Sequence, residues 1–352
     1  MHLQQRINAF VALGKFLGQF TSEEPFMKTD LPHNELFFED MQRQINLAKQ
    51  HNGWFTDENL QFSFKNWSIA LQQEHIEEWI NTYDLAGNTA KTIGIVMAGN
   101  LPLVGFHDFL CVLITGNEVI AKLSSKDKQL LPIITKYLIA LEPGFEAKVR
   151  FTEERLKDFN AVIATGSNNT AKYFNYYFGK YPSIIRKNRN SVAVLDGSET
   201  KAELALLAND IFRYFGLGCR NVSKLYIPRG YNFDDFFQGM FSWKDIIQNT
   251  KFMNNYDYNK AVYLMSNIAL LDNEFSLLKE DKSLASPIAV IFYQYYDSMG
   301  DLNNILKDQA NDIQCVVSKI GVPHQIAFGQ TQQPELGDYA DRADTVDFLL
   351  KL

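Results

Sequence analysis

Three cysteines, at positions 111, 219 and 315, are all that 352 residues contain, and no two form a CxxC pair. An odd count at such wide spacing supports neither a disulfide framework nor a structural zinc site, and it suits a reducing cytoplasm. The Gly-x-Gly-x-x-Gly run that usually marks a dinucleotide-binding turn is missing after the first strand candidate. Basic charge is in short supply: 34 Lys and Arg against 41 Asp and Glu leave a net charge of −7, which argues against a nucleic-acid surface. Long apolar runs are absent too. The longest, Ile93 to Phe106, contains Asn100 and Pro102 and runs into His107 and Asp108, so it is not a membrane span. Near the start, Leu3, Ile7, Phe10, Val11 and Phe16 are interrupted by Arg6 and Lys15. That pattern predicts an amphipathic helix packed on the body, not the continuous apolar core of a signal peptide.

What is present is enough apolar material for two packed domains, since 46% of the residues are hydrophobic. The 27 Phe and 16 Tyr point first to an aromatic-rich core and second to a roomy apolar site. Residues 1–90 read as helical, with helix-like spacing in Glu35–Gln50 and Asn66–Tyr83. From Lys91 onward, short β-branched runs alternate with helical ones. The strand candidates are 93–97, 118–123, 149–151, 161–164 and 191–195, and the helices between them are 103–115, 128–141, 169–178 and 199–215. Such alternation predicts an α/β fold with a parallel sheet covered by helices. Further strands are expected at 224–228, 287–292 and 314–318, with a helix at 301–309. We place the domain boundary between Leu195 and Tyr214. This gives an N-terminal part, 1–198, with the helices and a cofactor-binding sheet, then a catalytic part, 199–322. A tail, 323–352, either returns to the first domain or serves oligomerisation.

Open parallel sheets bind ligands at the carboxyl ends of their strands. The first such end is Ala98-Gly99-Asn100, where Pro102 predicts the first turn of a helix. Two readings of Asn100 stand: it caps that helix, or its amide donates to a developing oxyanion. The second end carries Lys122-Leu-Ser124-Ser125-Lys126, a lone cation after an apolar strand that can reach a ribose or phosphate. The third, Thr165-Gly166-Ser167, opens a helix whose amides offer an anion site. Cys219 lies in Gly-Leu-Gly-Cys-Arg-Asn, where glycines allow a tight turn and Arg220 would favour the thiolate. Cys111 and Cys315 sit in apolar surroundings and read as inert core thiols. His107 and His324 read as satisfied histidines before they read as proton donors. Arg186, Lys187 and Arg189 make a basic cluster, either a solvated loop or a contact for phosphates.

The Asn100 turn, the Gly116-Asn117…Lys122-Leu-Ser segment, the Thr165-Gly-Ser turn and the Gly-Leu-Gly-Cys219 loop together resemble the aldehyde dehydrogenase superfamily. Within it they look most like the fatty acyl-CoA reductases typified by the bacterial luminescence reductase subunit. The resemblance covers roughly residues 90–352. It implies an aldehyde dehydrogenase-like α/β fold, Cys219 as nucleophile, and Asn100 with the Cys219 backbone N–H as oxyanion donors. It further implies Lys122, Ser124, Ser125, Thr165, Gly166 and Ser167 around a nicotinamide cofactor. The superfamily's phosphate turn differs from the usual fingerprint, which accounts for the missing glycine run.

Two departures refine that expectation. Hydrolytic members carry a Glu-Leu-Gly-Gly segment whose Glu activates water, whereas this chain has Arg186-Lys-Asn-Arg-Asn-Ser191 there. Lacking that base, an acyl-enzyme is better discharged by a thiol or by hydride than by water. After Lys122, where NAD-preferring members place an acid, stand Ser125 and Lys126, which suit the 2′-phosphate of NADPH. The resulting expectation is an NADPH-dependent reductase of fatty acyl thioesters in the cytoplasm, with CoA as leaving group. An aldehyde-oxidising dehydrogenase and a cysteine acyltransferase that does not reduce its cargo are the rivals. The acyl donor is left open among CoA, a carrier protein and an acyl-protein from a partner synthetase; a homo-oligomer is implied by the resemblance.

Overall fold

The computed structural model describes every residue except Ala86, Asn88 and His324. The His324 expectation therefore lies outside the described residues. By compactness the chain divides into one unit of Met1–Lys187 with Glu335–Leu352 and a second of Asn188–Pro334.

The first unit begins with four helices, α1 (Leu3–Leu17), α2 (Asn34–His51), α3 (Asp57–Ala70) and α4 (Gln73–Ile80). The single helical stretch expected over 66–83 is broken at Leu71, which packs on α1 where Gly14 leaves no room for a Cβ; an added one would lie 2.7 Å from Leu71 Cβ. The strands β1 (Thr92–Val96), β2 (Glu118–Lys122), β3 (Val149–Phe151), β4 (Ala161–Thr165) and β5 (Ser183–Arg186) form a parallel sheet in the order β3-β2-β1-β4-β5. Its central strands are buried over most of their length, which is why they read as nearly continuous apolar runs. The helices α5 (Phe106–Ile114), α6 (Leu130–Leu141) and α7 (Asn168–Phe178) connect them. Much of the aromatic content goes into this core: Phe16 stacks on Tyr137 at 4.1 Å and Phe10 meets Phe106 edge-on at 6.5 Å.

The last residues complete this unit. Trp79 Nε1 donates to Tyr339 Oη at 2.7 Å, and Tyr83 Oη donates to Asp344 at 2.8 Å, just ahead of α12 (Thr345–Leu350).

The second unit holds β6 (Asn190–Val194), α8 (Lys201–Phe212), β7 (Val222–Pro228), α9 (Phe233–Met240) and α10 (Thr250–Met265). It continues through β8 (Leu271–Asp272), β9 (Leu277–Glu280), β10 (Val290–Tyr296), α11 (Met299–Asp308), β11 (Ile313–Val317) and β12 (Gln325–Ile326). These strands build a second sheet ordered β12-β11-β6-β7-β10-β9-β8, in which only β8 against β9 is antiparallel. β6, which the sequence reading grouped with the first domain, pairs instead with β7 and β11. Compactness accordingly puts the division at 187/188, ahead of the expected 198/199. Among the described residues, no helix is long and apolar enough to cross a membrane.

Candidate active site

Going outward from β1, the sheet of the first unit adds β2 and β3 on one side and β4 and β5 on the other. The strand order therefore reverses between β1 and β4, and the loops beyond that point open a crevice at the carboxyl edge. Asn100, Lys122, Ser124, Ser125, Thr165, Gly166 and Ser167 all fall on that edge, at the ends of three adjacent strands.

Gly99 and Ser124 hold the β1 and β2 loops together. A Cβ on Gly99 would come within 2.5 Å of the Ser124 side chain, so only glycine lets the two loops meet. Asn52 ties the same loops, its side-chain amide donating to Gly99 O at 3.2 Å and to Lys126 O at 3.4 Å. Next to this turn Leu103 takes a left-handed backbone, φ 57°, and its N–H donates to the buried Asp127 carboxylate at 3.2 Å. Burial outweighs that hydrogen bond and pushes Asp127 up to about 6.

The left-handed Leu103 delays α5 until Phe106, with Gly105 as its N-cap. Pro102 is consequently not in the helix's first turn, and Asn100 does not cap it. Lys122 is half-buried and pairs with Val96 in the ladder, while Ser125 and Lys126 are exposed.

At the third strand end, Ser167 is the N-cap of α7, accepting from Thr170 N at 3.2 Å. Gly166 N–H donates to Arg186 O at 3.2 Å, and a Cβ there would come within 2.9 Å of Thr170. The glycine lets the turn lie against its own helix, whose first residues Ser167, Asn168 and Asn169 are exposed.

In the second unit, Cys219 is exposed, whereas Cys111 and Cys315 are buried; burial pushes the Cys111 thiol well up. The Cys219 loop leaves α8 through three successive left-handed residues, Tyr214 (φ 55°), Phe215 (φ 59°) and Gly216 (φ 73°). Only the last is a conformation its residue type adopts freely, so local contacts must hold the other two. Asn221, 2% exposed, ties the chain on either side of them. Its side-chain amide donates to Asp210 O and Ile211 O at 3.2 Å and to Arg213 O at 2.8 Å, and its Oδ1 accepts Gly218 N–H at 2.8 Å. One amide thus ends the helix and starts the turn. Ser191 Oγ donates to the Cys219 carbonyl at 2.9 Å while accepting Cys315 N–H at 3.1 Å. Asp210 accepts from Gly329 N at 2.7 Å and from Thr331 N at 3.0 Å, and burial raises it to about 6.

One sequence expectation needs revision, that for Arg186, whereas His107 is the satisfied histidine expected. Arg220, expected to favour the Cys219 thiolate, donates from its guanidinium to Thr331 O at 3.4 Å and to Cys315 Sγ at 3.6 Å. Arg186 is neither in a solvated loop nor set for phosphates. It is 5% exposed, paired with the buried Asp108, and donates to Thr345 Oγ1 at 3.0 Å. Burial would lower its pKa, yet the Asp108 charge and hydrogen bond raise it. His107 donates from Nε2 to Leu336 O at 2.9 Å among Trp67, Trp79 and Tyr339, a packed structural histidine.

Asn221, Ser191 and Asp210 went unread in the sequence. Asn221 had a signal, an amide two residues past a glycine-flanked cysteine; the other two had none.

Solved structures resemble this whole architecture. The chain superposes on *Physcomitrella patens* aldehyde dehydrogenase with its product succinate at a TM-score of 0.69 and 12% identity, covering 100% of this chain and 84% of that one. *Pseudomonas syringae* indole-3-acetaldehyde dehydrogenase with NAD+ follows at 0.64 and 14%, covering 92% and 74%. *P. syringae* aldehyde dehydrogenase C with NAD+ and octanal gives 0.58 and 11%, covering 90% and 76%. At these identities the likeness establishes the fold, which is aldehyde dehydrogenase-like.

In sequence, the chain is 25% identical over 217 residues to the long-chain acyl-protein thioester reductase 2 of *Photobacterium leiognathi*. That stretch is 55% of this chain and 45% of the relative, so under half of the relative's length is matched. The family model for acyl-CoA reductase (LuxC) matches residues 5–237, taking in the N-terminal helices that the motif resemblance left out. This chain belongs to the acyl-CoA reductase (LuxC) family.

Proposed function

We propose that this protein reduces a fatty acyl thioester to the aldehyde through an acyl group carried on Cys219, with NADPH as reductant and CoA as leaving group. The observation that carries the reading is the contrast among the thiols: Cys219 alone is exposed, on a turn whose backbone is fixed from both sides. Family membership and the relative's description support the reaction class.

The residues of the first sheet's carboxyl edge fit a dinucleotide. The edge has a strand-order reversal and an exposed helix N-terminus after β4. Asp127, the first acid after Lys122 along the chain, is buried and accepts from Leu103 N–H. Lys122 and Ser124 would hold the adenosine ribose, Ser125 with Lys126 would take the 2′-phosphate, and Thr165, Gly166 and Ser167 would lie along the diphosphate. When bound, the nucleotide supplies hydride to the acyl carbon.

The chain's own residues do the rest. Cys219 Sγ attacks the thioester carbonyl, Asn100 and the Cys219 N–H donate to the oxyanion, and the CoA thiolate departs. Arg186 ends β5 as a buried structural cation, and Asn188, Arg189 and Asn190 supply no carboxylate, so water lacks a base at that position. The acyl donor can equally be an acyl-protein from a partner synthetase, and the acting form a homo-oligomer.

Intact-mass analysis after exposure to tetradecanoyl-CoA without NADPH should show one stable acyl group on Cys219, which added CoA discharges much faster than water. NADPH should release it as aldehyde. Acyl found on Cys111 or Cys315, or a fully active Cys219→Ala protein, would sink the reading.

A further inference from the structure

We infer that Asn52, in the turn joining α2 to α3, is a positioning residue for both halves of the reaction: its side-chain amide holds the Asn100 loop and the Ser125–Lys126 loop together as one piece. This rests on the roles given above to Asn100, Ser125 and Lys126, and says what keeps them in place. It also gives the N-terminal helices, which the motif resemblance left out, a part in the chemistry.

Each polar group of Asn52 has a task. Its backbone N–H closes α2 on Ala48 O at 2.9 Å, and its carbonyl accepts Phe55 N–H at 2.8 Å. Its Oδ1 accepts Trp54 N–H at 3.1 Å. Those three bonds are local and fix the turn. Only Nδ2 reaches outward. Its two hydrogens have two carbonyls in range, Gly99 O at 3.2 Å and Lys126 O at 3.4 Å, 47 and 74 positions away. The residue is 3% exposed, so little water competes for them. An aspartate could accept Trp54 N–H but would turn an oxygen toward both carbonyls. Asparagine is acceptor for the turn and double donor for the loops at once.

Gly99 is joined to Asn100, and Lys126 to Ser125, so each tie acts one peptide away from a residue with a proposed role. Sterics and hydrogen bonding work in opposite senses. Gly99 already lies so close to Ser124 that a Cβ would fall 2.5 Å from it, and the loops cannot close further. Asn52 keeps them from parting. The loop after β2 is bonded within itself, Asp127 N–H to Ser124 O at 3.1 Å and Lys126 N–H to Ser124 Oγ at 3.2 Å, so a tie at Lys126 carries Ser125 with it. On the other loop, Ser63 of α3 donates to Pro102 O at 3.2 Å, holding the far side of Asn100 while Asn52 holds the near side.

The test compares wild type, Asn52→Ser and Gln19→Leu. Serine keeps an acceptor for Trp54 N–H, brings no charge toward the 2′-phosphate and lacks the arm for the two carbonyls. Gln19 is an equally buried amide of the N-terminal helices, bonded to Phe16 O, Lys28 N–H and Asn34 and to neither loop. In Asn52→Ser, Cys219 acylation by saturating tetradecanoyl-CoA should slow about tenfold, with the half-saturating concentration changed by no more than about twofold. NADPH should bind about tenfold weaker, and NADH no more than about threefold. Gln19→Leu should lower the melting temperature and leave all of these as in wild type. Asn52→Gln, whose amide sits one methylene farther out, should give smaller losses of the same kind, and serves alone if Asn52→Ser does not fold. Losses of stability only, or a loss in acylation or in NADPH binding without the other, would overturn the joint hold.

Hydrogen exchange separates this hold from the functional reading. Backbone amides of 97–105 and 123–129 should exchange faster together in Asn52→Ser and not in Gln19→Leu. If wild type takes no acyl group on Cys219 and binds no nucleotide, that joint change decides: present, the hold stands and the roles given to Asn100, Ser125 and Lys126 fall; absent, both fall.

Discussion

The carboxyl edge of the first sheet and the Cys219 loop of the second unit are fixed by different means. At the edge, strand ends, two close glycine approaches (Gly99 to Ser124, Gly166 to Thr170) and the buried Asn52 and Asp127 set the backbone, and Ser125, Lys126 and Ser167 are left exposed. Around Cys219, buried side chains do the holding: Asn221 ties four backbone groups, Ser191 bridges two segments, and Asp210 reaches to Gly329 and Thr331. Substitution of the exposed residues at the edge should therefore change ligand handling with little change in stability, whereas substitution under the cysteine should change both.

The sharpest break of that contrast would come from Asn100. Asn100→Ala should lower turnover by roughly 10²–10³-fold, and because it is not the cap of α5 the loss should not come through that helix. A melting shift with activity kept would reverse its role. Asn221→Ala should cost about 2–4 kcal/mol, since it strands one buried N–H and three carbonyls, and should slow Cys219 acylation on the order of 10²-fold. Denaturant titration and single-turnover acylation should fall together; a stable but inactive variant would mean that Asn221 acts on the chemistry directly. Ser125→Glu should weaken NADPH relative to NADH about tenfold through repulsion of the 2′-phosphate, with the melting temperature unchanged.

The remaining effect is a pH dependence. Asp210 in the folded protein titrates at about 6, above its ordinary value of 3.8. The folded state then binds more protons than the unfolded state between pH 4 and 6, so this group's contribution to stability is full below about pH 4 and is lost as pH rises through 6. Stability differences between wild type and Asp210→Asn should shift by roughly 2–3 kcal/mol across that window. A constant difference would assign the burial of Asp210 no titration.

Much of the edge was legible because its strands are buried, short and nearly all apolar, and because turn residues follow each one. The Cys219 loop was legible through its glycines. What supports that loop was not, since Ser191 lies 28 residues before its Cys219 partner and Asp210 lies 121 before Thr331. Charge alone misled at Arg186, whose partner Asp108 is 78 positions away and equally buried. The short strand β5 and the pair β8–β9 escaped for another reason: runs of two to four residues carry too little pattern to register.

The return of Glu335–Leu352 to the first unit has a consequence for how the chain matures. The second unit is continuous and can condense as soon as Pro334 is made. The first cannot, because the partners of Trp79, Tyr83 and Arg186, namely Tyr339, Asp344 and Thr345, are synthesised only after Pro334. During translation the N-terminal helices wait for them with an unfinished core, a state open to chaperones and proteases. A chain stopped at Pro334 should keep a protease-resistant fragment near 188–334 while residues 1–187 are digested, so that synthesis order and folding order run opposite ways.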